Sequence, residues 1–266
     1  MSLYPLFDCH AHLASLLDAG DFPGVLARMQ LEHIERCAVI CDPGDLEPDH
    51  EAALRLTAND PRLCLCVACH PQNALHYNAE VEATVRRVAK SARCIGETGL
   101  DYYDNRSTKA EQLYALNRQL DIACEMGLPV QLHIRNAHGD MIEVLRKRRD
   151  EHCLPKGLVH CFTRSRELAK VYLGFGYSIS LAGPLTFTNA NKLLETARSI
   201  PLERLLIETD SPWVSPEPKR TLPCEPAYLR YTFVRLCQLR EEPPEVLAGA
   251  LWQNACRFFG YEGEPV

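Results

Sequence analysis

No apolar stretch in these 266 residues is long enough to span a bilayer, so a membrane-spanning class is not expected. The opening Met1-Ser2-Leu3-Tyr4-Pro5 lacks the basic segment followed by an apolar one that marks a secretory leader. A cytoplasmic location is the expectation. Positive charge is also in short supply: the formal net charge is -6, which argues against a protein that coats nucleic acid through a broad basic surface. An enzyme handling one strand end stays open, because bound metals and a few arginines can make a cleft positive locally. Cysteine is abundant at 13, but the number is odd, and Cys37, Cys41, Cys64, Cys66, Cys94 and Cys161 sit inside apolar runs. Reduced thiols packed as small hydrophobes are expected rather than disulfides. The cluster Cys64-x-Cys66-x-x-Cys69 has no second pair at zinc-finger spacing, and alternation puts Cys64 and Cys66 on one strand face. No structural zinc is expected there.

What is present is an alternation of short β-rich apolar runs with longer amphipathic segments, the signature of βαβ units on a parallel sheet. The strand-like runs are 5–9, 37–41, 63–69, 94–97, 130–133, 158–161, 177–181 and 205–208. The helix after the fourth is the clearest. Thr108 and Glu111 form a capping box, Leu113, Leu116, Leu120 and Ala123 recur at helical spacing, and Gly127 marks the end. Eight βα units in about 250 residues predict an α/β fold, a single (β/α)8 TIM barrel over 1–266, with its active site at the carboxyl ends of the strands.

The chemistry-bearing residues lie at those ends. His10 and His12 project from one side of the first strand and can reach one ion together. An isolated His-x-His is equally a surface pair or a satisfied core pair, and its partners must decide. After the third run comes His70-Pro71, after the fourth Gly96-Glu97-Thr98-Gly99-Leu100-Asp101, after the fifth His133-Ile134-Arg135, after the sixth His160, and after the eighth Glu208-Thr209-Asp210. Barrel strands aim their last side chains into one mouth, the convergence that a binuclear metal centre needs.

The motifs Asp8-Cys9-His10-Ala11-His12, Cys69-His70-Pro71, Gly96-Glu97-Thr98-Gly99-Leu100-Asp101-Tyr102, His133-Ile134-Arg135-Asn136-Ala137-His138, His160-Cys161-Phe162-Thr163 and Glu208-Thr209-Asp210-Ser211-Pro212 together resemble the TatD-type metal-dependent deoxyribonucleases of the amidohydrolase superfamily, over nearly the whole chain. The resemblance implies two divalent metal ions per chain, zinc, manganese or magnesium. His10, His12 and Asp210 would hold one, His133 and His160 the other, and Glu97 would bridge them at about 3.5 to 4 Å. It implies DNA as substrate, as a single strand or a strand end, cleaved by water activated at that centre, with Glu97 and Asp210 catalytic and Asp210 a general base. His70 and Arg135 are the expected substrate-binding residues. No membrane and no obligate protein partner are implied. Glu208 is open between support for a histidine ligand and a plain ion pair, and Tyr102-Tyr103 between base stacking and loop packing. Arg164 stands where the family often has glycine and Cys224 where it often has asparagine, departures that touch substrate preference more than catalysis. The rival reactions are hydrolysis of a carboxylic ester, lactone or amide, including deacylation of a charged tRNA. The chain shows Glu97 rather than a metal-bridging lysine, which favours the TatD-type branch. A non-enzymatic scaffold would show degenerate ligands, and all six are intact.

Overall fold

The computed structural model describes residues 4–45 and 49–262; residues 1–3 of the leader reading lie outside it. Strands and helices alternate as β1 (Leu6–Ala11), α1 (Phe22–Leu31), β2 (Ile34–Cys41), α2 (Asp49–Asn59), β3 (Leu63–Val67), α3 (Ala79–Ala89), β4 (Ile95–Asp101), α4 (Lys109–Met126), β5 (Val130–Arg135), α5 (His138–Asp150), β6 (Gly157–Val159), α6 (Arg166–Gly174), β7 (Ser178–Leu181), α7 (Asn191–Ser199), β8 (Leu205–Ile207) and α8 (Leu229–Leu239), with α9 (Pro244–Phe259) after them. No helix among the described residues is long and apolar enough to cross a membrane.

The described residues form two compact units, one drawn from 4–39, 161–174 and 178–262, the other from 40–45, 49–160 and 175–177. In the first, β1 pairs parallel with β2 from Leu6↔Ile34 to Ala11↔Val39, β7 pairs parallel with β8, and Ala11 bridges to Ser211 just past β8. Phe7 of β1 stacks on Phe259 of α9 with ring centroids 5.0 Å apart, seating the last helix on the first strand. In the second unit β4, β5 and β6 run parallel in that order, and Cys66 of β3 bridges to Cys94. Nearly continuous apolar burial along these strands is what a parallel sheet covered by helices requires.

The strand bounds differ from expectation where they matter for the site. β4 does not stop at 97 but continues to Asp101, and Gly99 is the reason. Gly99 pairs with His133 at φ +155°, and the His133 carbonyl occupies the space a side chain would take, so only glycine keeps the two strands in register here. β6 and β8 are shorter than expected, leaving His160 and Glu208 to Asp210 beyond the strand ends. Asp210 adopts a left-handed φ of +59°, so simple alternation does not aim Glu208 and Asp210 together.

Helix α4 has its capping box and a left-handed Gly127 at its end, as expected. Its buried face also includes two polar residues one heptad apart. Gln112 accepts the Asp101 N–H at 2.8 Å and donates to the Asp101 carbonyl at 2.9 Å. Gln119 does the same for Cys69, at 2.6 and 3.1 Å, and also donates to the Thr98 hydroxyl at 2.9 Å. The helix thereby fixes the backbone at the ends of β3 and β4. No disulfide is formed among the described residues.

Candidate metal centre

In the first unit, His10 near the end of β1 and His12 just beyond it face each other with Nε2 atoms 3.2 Å apart. Asp210 Oδ1 stands 3.7 Å from one and 3.8 Å from the other. Backbone bonds from Asp210 N–H to the His10 carbonyl at 2.9 Å and from His12 N–H to the Ser211 carbonyl at 2.7 Å tie the two segments together. Asp8 strengthens that tie. Its buried carboxylate accepts the Thr209 N–H at 2.8 Å, the Thr209 hydroxyl at 2.5 Å and the His10 N–H at 3.3 Å. Burial pushes its pKa up to about 7 against the pull of those bonds. Asp8 is therefore a structural clamp rather than a donor to an ion. Glu208, fully buried, accepts the Cys161 N–H at 2.6 Å, a contact neither sequence alternative specified. The half-exposed Trp213 sets its indole edge-on to His12, with centroids 4.5 Å apart.

In the second unit, Glu97 Oε1 receives three histidines: His160 Nε2 at 2.6 Å, His133 Nδ1 at 2.7 Å and His70 Nε2 at 3.6 Å. His133 Nδ1 and His160 Nε2 are 3.3 Å apart. The other nitrogen of His133 lies 3.1 Å from Asp101 Oδ2. Burial alone would push the His133 pKa down, but hydrogen bonds to Asp101 and Glu97 outweigh it and raise it. Burial would likewise raise Asp101, yet bonds from His133, the Asp104 N–H and Gln72 hold its carboxyl well below the usual carboxylate range. His70 caps the short helix Pro71–His76: its Nδ1 accepts the Gln72 N–H at 3.2 Å, which leaves Nε2 as the proton-bearing nitrogen facing Glu97. His70 is thus a hydrogen-bond donor at this site. Its own N–H goes to Asp42 at 3.1 Å, whose carboxylate also takes the Gly44 N–H and the Asn73 amide.

Arg135, exposed at the end of β5, lays its guanidinium over the Tyr103 ring at 3.8 Å from the centroid, while Tyr103 itself is exposed. Tyr102 instead donates to Asp140 at 2.6 Å. Of the two departures from the family pattern, Arg164 is exposed, and the fully buried Cys224 packs its thiol 3.8 Å from the Thr209 carbonyl.

Donors about 2.1 Å from one ion stand roughly 3 to 3.5 Å apart. The His10–His12 spacing in one unit and the His133–His160 spacing in the other both match, each with a carboxylate alongside. The residues fit divalent metal. Sequence reasoning assigned no role to Asp101, Gln112, Gln119 or Asp42; the only signal for the glutamines is their seven-residue spacing on the apolar side of α4.

A family model described as TatD related DNase matches residues 7–260. The chain is 33% identical over 256 residues to a protein of Bacillus subtilis named uncharacterized metal-dependent hydrolase YabD, covering 96% of this chain and 98% of that one. It is 34% identical to a protein of Erwinia billingiae named 3'-5' ssDNA/RNA exonuclease TatD, covering 96% and 98%. Among solved structures, the TatD homologue YjjV of Escherichia coli superposes with a TM-score of 0.88 at 25% identity, covering 97% of this chain and 99% of that one. The fold class is the (β/α)8 class expected from the alternation. With the fold of its solved relatives and a family match over residues 7–260, the protein belongs to the TatD-related family of metal-dependent hydrolases.

Proposed function

We propose that this hydrolase cleaves phosphodiester bonds in DNA, removing nucleotides from the end of a single strand in the cytoplasm, as one barrel domain over 1–266. In this reading His10, His12 and Asp210 hold one divalent ion, His133 and His160 a second, and Glu97 serves both. The observation that carries it is the donor spacing inside each unit, 3.2 Å between the first-strand imidazoles and 3.3 Å between His133 and His160. Relatives named 3'-5' ssDNA/RNA exonuclease support the substrate and polarity. Bound there, divalent ions supply Lewis acidity toward a phosphoryl oxygen and lower the pKa of a water.

The chain's own residues do the rest. Asp210, a carboxylate beside two imidazoles, accepts a proton from the attacking water. His70 presents Nε2–H to an anionic oxygen, and Arg135 offers a bidentate cation to a phosphate further along the strand. The test is cleavage of an end-labelled single-stranded oligonucleotide by metal-stripped protein given zinc, manganese or magnesium, with Glu97→Ala alongside. The expected result is a metal-dependent product ladder that falls by at least about 100-fold in the variant, since loss of even a residue supporting a ligand costs 10- to 100-fold. Folded wild-type protein that binds two ions and leaves the oligonucleotide intact would transfer the assignment to a carboxylic ester, lactone or amide.

A further inference from the structure

Asp101 is a fully buried carboxylate whose side-chain contacts converge on one task. Its Oδ1 accepts two backbone donors, the Tyr103 N–H at 2.9 Å and the Asp104 N–H at 3.1 Å. Its Oδ2 accepts the Gln72 side-chain amide at 3.0 Å and meets His133 Nε2 at 3.1 Å. Gln112 holds its backbone through both the N–H and the carbonyl. The carboxylate is thus immobilised, and its free direction of action is the His133 ring. On the opposite side of that ring Nδ1 looks toward Glu97 at 2.7 Å and His160 at 3.3 Å.

We propose that Asp101 is the positioning residue that decides which nitrogen of His133 is offered to metal: by accepting the Nε2–H it leaves Nδ1 as the lone-pair donor on the side of Glu97 and His160. This rests on the metal-centre reading above. An imidazole that binds an ion through one nitrogen carries its proton on the other, and an acceptor held against that proton orients the ring and raises its basicity. The chemistry also dictates what asparagine would do. Oδ1 faces the backbone N–H groups of Tyr103 and Asp104, which cannot reverse, whereas at Oδ2 the Gln72 amide can flip and the imidazole can change tautomer, so the amide oxygen of an Asp101→Asn side chain is held at the Oδ1 position and its NH2 group is turned toward His133 Nε2. A donor now faces the nitrogen that must carry a proton, favouring the tautomer with hydrogen on Nδ1, where the ion should be. The near-isosteric substitution is therefore expected to weaken metal binding while leaving the fold in place.

The experiment is competition of the purified full chain with a chromophoric chelator for zinc, on wild type, Asp101→Asn and Tyr102→Phe, with thermal melts run in parallel. The last variant perturbs the same segment through the Tyr102–Asp140 bond and leaves the Asp101 network alone. The expected result is two ions in wild type and in Tyr102→Phe, and a loss of about 10- to 100-fold in affinity for one ion only in Asp101→Asn. A spectroscopic readout accompanies it: long-range 15N–1H spectra of the zinc-loaded wild type should show His133 protonated at Nε2. Two ions bound with unchanged affinity in Asp101→Asn, or a zinc-loaded wild type protonated at Nδ1, overturns the proposal with the metal centre still standing. The nitrogen readout on wild type decides the matter even if Asp101→Asn fails to fold. Wild type that retains no ion overturns the metal-centre reading, and the proposal falls with it.

Discussion

A carboxyl group shut away from water stays protonated to higher pH, and Asp42 at the end of β2 is such a group. Burial raises its pKa to about 7 from an ordinary 3.8, against hydrogen bonds from Asn73, the Gly44 N–H and the His70 N–H. The folded chain holds that proton more tightly than the unfolded chain. The resulting stabilisation is complete below about pH 4 and disappears as pH rises through 7. Asp42→Asn has no such proton to lose. Measured by urea denaturation, the stability difference between wild type and Asp42→Asn should move in favour of the variant between pH 5 and pH 8, by about 1–2 kcal/mol once partial exposure is allowed for. A pH-independent difference would show that the Asp42 carboxyl titrates normally. At this scale the six residues proposed as ligands stand out in the sequence because each closes or follows an apolar run. Asp101 stood inside a quoted motif without a role, because its partner His133 arrives from the next strand, and nothing local announces that pairing.

Among the elements, the pairing of β4 with β5 depends on one backbone position. Gly99→Ala must both adopt a φ of +155° and displace the His133 carbonyl, so it is expected to cost about 2–4 kcal/mol and to reduce metal retention, because His133 moves with its strand. Gly127→Ala provides the comparison. It also has a positive φ, +66°, but nothing stands near the new methyl group, so the expected cost is about 1 kcal/mol with metal binding intact. Chemical denaturation of the two variants side by side checks the ranking, and equal losses would refute the role given to the β4–β5 approach. The eight alternations and the α4 caps could be read from periodicity and capping chemistry alone. The end of β4 could not, since glycines at 96 and 99 look like a loop unless the carbonyl that fills the vacant side-chain space is known. Nor could the inward orientation of Gln112 and Gln119. Amphipathic patterning sends glutamine to solvent, whereas here two of them satisfy strand-end backbone groups that would otherwise be buried without partners.

On the scale of the whole molecule, the interior of the described residues is built mainly of leucine and alanine with isoleucine and valine, and cysteine takes nine of its places. The expectation of thiols packed as small hydrophobes is met by the burial pattern: nine of the 13 are buried, and Cys124, Cys153, Cys161 and Cys237 are partly exposed. Burial also pushes several of them, such as Cys41 and Cys224, up to about 12, far from the reactive thiolate form. That distribution gives the chain a built-in clock. Brief alkylation of the native protein should add at most four labels, and the remaining nine should appear only as molecules open, so the mass spectrum would resolve closed and opened chains as two separate peaks. Their ratio over time would report the opening rate without dye, denaturant or engineered probe, and a gradual smear of intermediate masses would show instead that the interior opens piece by piece.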